Sequence, residues 1–126
     1  MNHELRQRLD AFRATDSIPS RAVDFVEREL AMIDPQATLD DEQAGLFVSH
    51  AVMAVTRLAQ GDDTVTAPDE NVYAEVVSKD PSTPITAQRM ADRVAEEFRR
   101  PLPDAEVKFL TIHIALLNHH LTRESS

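Results

Sequence analysis

The chain has 126 residues, and 22 Asp and Glu against 13 Lys and Arg leave a formal net charge of −9 with histidine neutral. That length suits one domain with its own hydrophobic core, and so negative a balance argues against nucleic-acid binding, which needs clustered cations. The absence of cysteine excludes disulfides, Cys-ligated zinc, iron–sulfur clusters and thiol catalysis, and two glycines, Gly45 and Gly61, are too few for a glycine-rich phosphate loop.

The N-terminus, Met1 to Arg8, lacks the apolar core of a secretory signal. Leu5, Leu9 and Phe12 then share one face at i, i+4 and i+7, which predicts a short N-terminal helix. Residues 15–20 break the pattern, with Ser17 or Ser20 as candidate N-cap of the next helix. That helix is expected from about Pro19 to Ile33, with Ala22, Val26, Leu30 and Ile33 inward and Arg21, Asp24, Arg28 and Glu29 opposite or flanking. Asp34-Pro35 ends it, because the residue before proline disfavours helical geometry.

Asp40 is the strongest N-cap in the chain, with Gln43 at the capping-box position. The helix it opens is expected to reach about Gln60, burying Ala44, Val48, Ala51, Val55 and Leu58, with Gly61 just past its end. A polar loop over 61–67, containing Asp62 and Asp63, leads to a helix start at Pro68-Asp69-Glu70, followed by Val72, Tyr73, Val76 and Val77. After a turn at 79–84, Thr83 as N-cap and Pro84 at the first helical position open a helix with Ala87, Met90 or Ala91, Val94 and Phe98 on one stripe. The last helix is expected from about Pro103-Asp104 to Leu121. Its stripe is Val107, Leu110, Ile114, Leu117 and Leu121, broadened by Phe109, Ile112 and Leu116, so it reads as central. No segment alternates with period two. The pattern predicts an all-α bundle of five core helices with a candidate extra N-terminal helix, joined mostly by short loops. The most apolar stretch, Val107 to Leu117, is shorter than a membrane span and contains Lys108 and His113. A cytoplasmic protein with no membrane or nucleic-acid partner is expected.

The histidines are His3, His50, His113, His119 and His120. His3 is near a terminus. His119 and His120 sit where a helix C-terminus favours a cation. A metal site using His113 and His120 has no recognisable third ligand and lacks the usual i, i+4 spacing, so no metal or other cofactor is expected. His50 and His113 are mid-helix among apolar residues. From spacing alone such a histidine is more often a packed structural residue than a reactive one.

Two segments together resemble the PTS regulation domain (PRD), the helical module of bacterial antiterminators and activators that answer to the sugar phosphotransferase system. The first is Ser49-His50-Ala51-Val52-Met53-Ala54-Val55-Thr56-Arg57-Leu58, similar to the family's first histidine helix, with Arg seven residues after His. The second is Leu102-Pro103-Asp104-Ala105-Glu106-Val107-Lys108-Phe109-Leu110-Thr111-Ile112-His113-Ile114, similar to the second histidine helix and the more specific of the two. The resemblance runs from about Ile18 to Leu121. It divides the chain into an N-terminal extension (1–17), a single PRD-like domain (18–122) and a tail (123–126).

The resemblance implies a five-helix bundle that is regulatory rather than enzymatic, with His113 and His50 as phosphoacceptors. The implied donor is the histidine phosphocarrier protein or a sugar-permease component. Arg57 is the first candidate to answer a phosphate on His50, or else serves the second site or a dimer partner. Glu106 either orients His113 or is an acid favoured by its helix dipole. A homodimer and a separate effector protein for transcription regulation are expected, because one module and no RNA- or DNA-binding domain is read here. Ser49 stands where an acidic residue commonly precedes the first histidine. That departure leaves open an alternative, a degenerate module kept for dimerisation or scaffolding without phosphorylation.

Overall fold

The computed structural model describes residues 1–62 and 65–125. Asp63 and Thr64 of the expected loop, and Ser126 of the expected tail, lie outside the described residues. The described chain is all-helical, in the order α1 (His3–Arg13), α2 (Ser20–Ile33), α3 (Asp41–Ala59), α4 (Glu70–Lys79), α5 (Thr83–Phe98) and α6 (Asp104–Ser125). None of these helices is long and apolar enough to cross a membrane. The chain divides into two compact units. One comprises Met1–Thr56 with the chain from Leu117 onward, the other Arg57–Leu116.

In the first unit, α1 is capped by the Asn2 side chain, which accepts from the Glu4 and Leu5 amides. Leu5 and Leu9 are 1% and 0% exposed, each contributing about 1.5–3 kcal/mol by burial. Arg13 adds salt bridges to Asp24 at 2.9 Å and Glu27 at 2.6 Å, and Arg6 reaches Glu27 at 3.1 Å. These pairs hold α1 against α2. Burial alone would raise the Glu27 carboxyl, but hydrogen bonds from Arg13 and Arg6 outweigh it and hold Glu27 below its ordinary range.

Neither Ser17 nor Ser20 caps α2. Pro19 occupies the cap, its carbonyl accepting from the Ala22 and Val23 amides, and Ser20 is already helical. Ala22, Val26 and Leu30 are buried as the stripe predicts, together with Val23 and Phe25. Glu29 corrects the reading, since it is 3% exposed rather than on the flank. Asp34 ends α2, and its carboxylate accepts from the Thr38 amide and hydroxyl and the Leu39 amide, fixing the loop into α3. The capping box forms as read. The Gln43 amide donates to Asp40 Oδ1 at 2.9 Å and the Asp40 amide to Gln43 Oε1 at 3.1 Å. Ala44, Val48, Ala51 and Val55 then form the buried stripe of α3.

In the second unit, α3 ends in a Schellman arrangement, with Gly61 at φ 77°, its amide bonded to Leu58 O and that of Asp62 to Arg57 O. Asp69 caps α4 by accepting from the Asn71 and Val72 amides. No residue of α4 is buried, so Val72, Tyr73, Val76 and Val77 form no core face. On α5 the cap is Ser82 rather than Thr83, which is fully buried in the first turn ahead of Pro84. Ala87, Met90, Ala91 and Val94 are buried as predicted. On α6, Leu110 and Ile114 are buried but Leu116 is 51% exposed. The helix therefore presents one inward stripe and is not apolar all round, and it runs past Leu121 to Ser125.

Candidate functional site

The four residues singled out from sequence fall on two helices. His50 and Arg57 are on α3, and Glu106 and His113 are on α6. His50 belongs to the first unit, whereas Arg57, Glu106 and His113 belong to the second.

In the second unit, Pro101 and Pro103 end the preceding loop, and the Pro103 carbonyl accepts the amides of Glu106 and Val107. Glu106 thus sits in the first turn of α6, where the dipole favours an acid. Arg57 Nη2 donates to Glu106 Oε1 at 2.7 Å. The Glu106 side chain is 2% exposed and that of Arg57 30%, so a buried carboxylate is answered by a partly solvated guanidinium. His113 follows Glu106 by seven residues, two helical turns or about 10.5 Å along the axis. It is half-buried, between buried Leu110 and Ile114 on one side and exposed Leu116 on the other. Thr111, fully buried beside it, donates its hydroxyl to Val107 O at 2.8 Å, so the polar group is satisfied within the helix.

In the first unit, His50 is half-buried on α3 and follows Ser49 directly. The structure adds a cation that sequence reasoning missed. Arg8 of α1 donates from Nε to Asp41 Oδ1 at 2.7 Å, from Nη2 to Asp41 Oδ2 at 2.9 Å and from Nη1 to Ser49 Oγ at 2.9 Å. Asp41, Gly45 and Ser49 are spaced by four and lie on one helix face. A Cβ on Gly45 would come within 2.9 Å of Arg8 Nη2 and 3.1 Å of its Cζ. The missing side chain is what lets the guanidinium lie against α3. The bidentate hydrogen bond from Arg8 holds Asp41 below the ordinary carboxylate range, and the same bond raises Arg8. The sequence signal was the Asp–Gly–Ser spacing at 41, 45 and 49, but nothing local points to the arginine.

His119 and His120, at the end of α6, have ring centroids 6.1 Å apart in an edge arrangement. Among the described residues no three His, Asp or Glu side chains are grouped to hold a metal ion. A cavity of about 330 Å³ in the first unit is lined by Leu5, Leu30 and Leu39 with Arg6, Glu27 and Arg28 at its polar edge, and none of the four predicted residues lines it.

A family model described as PRD domain matches residues 23–116. The chain belongs to the PRD family. Neither the curated proteins nor the solved structures contain a match to it. PRD domains are regulatory modules rather than catalysts, in general terms modules of the sugar phosphotransferase system. His50, Arg57, Glu106 and His113 all lie inside the matched PRD segment, and α1 with Arg8 lies outside it.

Proposed function

We propose that this PRD accepts phosphoryl groups on His113 and His50 from a phosphotransferase-system donor and passes the signal to a partner protein in the cytoplasm. The donor is the histidine phosphocarrier protein or a sugar-permease component, and the responding form is a homodimer of the five-helix module with α1 as an added helix. The reading rests on family membership, and the observation that carries it is the Arg57–Glu106 pair two turns before His113. It supplies a fixed charge pair in the same unit as the imidazole.

Imidazole suits the chemistry because its neutral form, with one ring nitrogen unprotonated, is available near neutral pH. That nitrogen attacks the phosphorus of a donor phosphohistidine. A new N–P bond forms as the donor N–P bond breaks, and the donor ring keeps the electron pair. The acceptor ring releases its other N–H proton, and the donor ring takes one up. Positioning and charge stabilisation dominate such transfers. The product adds about two negative charges, as in other phosphorylated side chains, to a chain already at −9. Nearby guanidinium groups therefore matter, and Arg57, held by Glu106, is the candidate in the unit of His113.

The test is incubation of the full chain with phosphoenolpyruvate and the general phosphotransferase proteins, followed by mass-spectrometric mapping of acid-labile phosphate. Phosphate on His113, His50 or both is expected. None on either, while a control acceptor is labelled, overturns the proposal. The hydrogen bond from Arg8 to Ser49 favours a second reading, in which the position before His50 is given to docking α1 and the module serves as a scaffold. In that case His50→Ala and His113→Ala change stability or partner binding with no dependence on phosphorylation.

A further inference from the structure

The cavity of about 330 Å³ in the first unit has an apolar floor and a charged mouth. Leu5, Leu30 and Leu39 form the floor, and all three are buried, so it is continuous with the core. One wall is the loop from α2 to α3. Ala37 there takes φ 55°, a conformation that residues other than glycine rarely adopt. The Asp34 carboxylate keeps the loop in that shape by accepting from the Thr38 amide and hydroxyl and from the Leu39 amide. The wall is thus built before any ligand arrives, as in most small-molecule sites. Four charged side chains line the cavity: Arg6, Arg28, Glu27 and Asp34. Asp34 is engaged by the loop. Glu27 is held through one oxygen by Arg13 at 2.6 Å and by Arg6 at 3.1 Å. With Arg13 included, three guanidinium groups stand against two carboxylates, a local cationic excess on a chain at −9.

We propose that this cavity binds a small amphipathic carboxylate, its hydrocarbon chain over Leu5, Leu30 and Leu39 and its head group at Arg6 and Arg28. Arg6 is 45% exposed and can turn to a ligand without stranding Glu27, because Arg13 keeps the same oxygen. A guanidinium fork matches a carboxylate with two parallel hydrogen bonds. The leucine floor offers no hydrogen-bond partner, so a sugar would leave buried hydroxyls unpaired there, a cost that a hydrocarbon chain avoids. The inference goes beyond the phosphoacceptor reading and does not depend on it. Met1, Leu5 and Arg6 precede the segment matched by the family, so the site lies partly outside the PRD segment. Its occupant would touch α1, α2 and the loop that leads into α3.

The experiment titrates the full chain with hexanoate, octanoate and decanoate below their micellar concentrations and follows amide and methyl NMR shifts. Binding is expected to tighten by about fourfold per added methylene, the fold-change that burial of one CH₂ converts to. The shifts should centre on Leu5, Leu30 and Leu39. Arg6→Gln should weaken octanoate by about fivefold, the upper end for an exposed ion pair. It should leave octanol, which keeps the chain and loses the charge, unchanged. This variant leaves Glu27 paired with Arg13, so the fold is retained. Ala31→Phe brings a ring into the cavity from an exposed position on α2 and should abolish binding of both. No octanoate binding to wild type, shifts centred on exposed Leu46 or Leu116 instead, or binding that survives Ala31→Phe each overturn the inference. So does an Arg6→Gln effect that is equal for octanol and octanoate or absent for octanoate, because the carboxylate is then not what the site reads. No phosphoryl donor is present, so a failure here leaves the proposed function standing, and a failure of histidine labelling leaves the cavity standing.

Discussion

Arg57 and Glu106 are 49 residues apart in sequence and 2.7 Å apart in space, and the carboxylate of the pair is 2% exposed. A carboxylate so buried is tolerated because a cation and a helix N-terminus both answer it. Removing Arg57 takes away the cation that answers the buried carboxylate. Arg57→Leu is expected to destabilise the protein by about 3 kcal/mol, the lower end for breaking a buried pair because Arg57 keeps contact with water. Glu106→Gln should cost less, since an amide oxygen still accepts. The double variant Arg57→Leu/Glu106→Leu should be more stable than the sum of its single costs predicts. Urea unfolding of the four proteins measures this directly.

The Arg8–Asp41 pair makes a pH prediction. Hydrogen bonding to Arg8 lowers the folded-state pKa of Asp41, so the folded protein binds fewer protons than the unfolded chain in the acid range. The stabilisation is complete above the unfolded carboxylate value of about 3.9, and it is lost as pH falls through the lower folded value. Asp41→Asn should therefore be less stable than wild type at pH 7, by about 1 kcal/mol or less because the Arg8 side chain is 37% exposed. The gap should close as pH falls below about 4. Glu27, lowered by Arg13 and Arg6 against the opposing effect of burial, contributes in the same direction. Unfolding curves at neutral and acid pH decide both.

Much of this fold is written in short-range chemistry. The start of α3 is legible because Asp40 and Gln43 answer each other's amides within one turn, and its end because Gly61 takes a positive φ there. The cap at Asp69 is equally local. The slot for Arg8 is not legible, since its partners lie 33 and 41 residues away and only the packing of α1 brings them together. Glu29 was misplaced because a helix pattern says which residues share a face and not how wide the buried arc becomes. The cap of α5 lies one residue earlier than the pattern places it, because proline is tolerated at the second helical position as well as the first, its missing N–H having no intrahelical partner at either, which leaves Thr83 inside. At the candidate site, family resemblance singles out His50, Arg57, Glu106 and His113, all within the matched segment. It leaves Arg57 to His50, to the second site or to a dimer partner, and the ion pair joins Arg57 to Glu106.

Helix α4 should be the least protected element of the second unit. It buries no residue, and its ties to α6 include a Lys108–Glu70 salt bridge at 3.0 Å and the Lys108 ammonium over the Tyr73 ring at 5.3 Å. Contacts this exposed are weak, because water screens them. Native-state hydrogen exchange should show Glu70–Lys79 exchanging well before Thr83–Phe98, whose stripe is buried. Lys108→Ala should accelerate α4 and leave α5 unchanged. Equal protection of the two helices would mean that α4 is anchored by more than these contacts.

Gly45→Ala sets helix propensity against the Arg8 slot. Replacing a mid-helix glycine with alanine ordinarily stabilises by about 1 kcal/mol. Here the new Cβ would sit 2.9 Å from Arg8 Nη2 and 3.1 Å from Nε and Cζ, so the guanidinium must move. The motion is resisted because the same group is held at 2.7 and 2.9 Å by Asp41. In the wild-type background the substitution should therefore give no gain, or a net loss. In an Arg8→Ala background the obstacle is gone, and the same change should recover the gain of about 1 kcal/mol. A double-mutant cycle by thermal or urea unfolding isolates the coupling. A coupling near zero would mean that the guanidinium is free to lift away and that the glycine is there for another reason. A coupling of about 1 kcal/mol would establish that α1 and α3 are fitted to each other at the turn before His50.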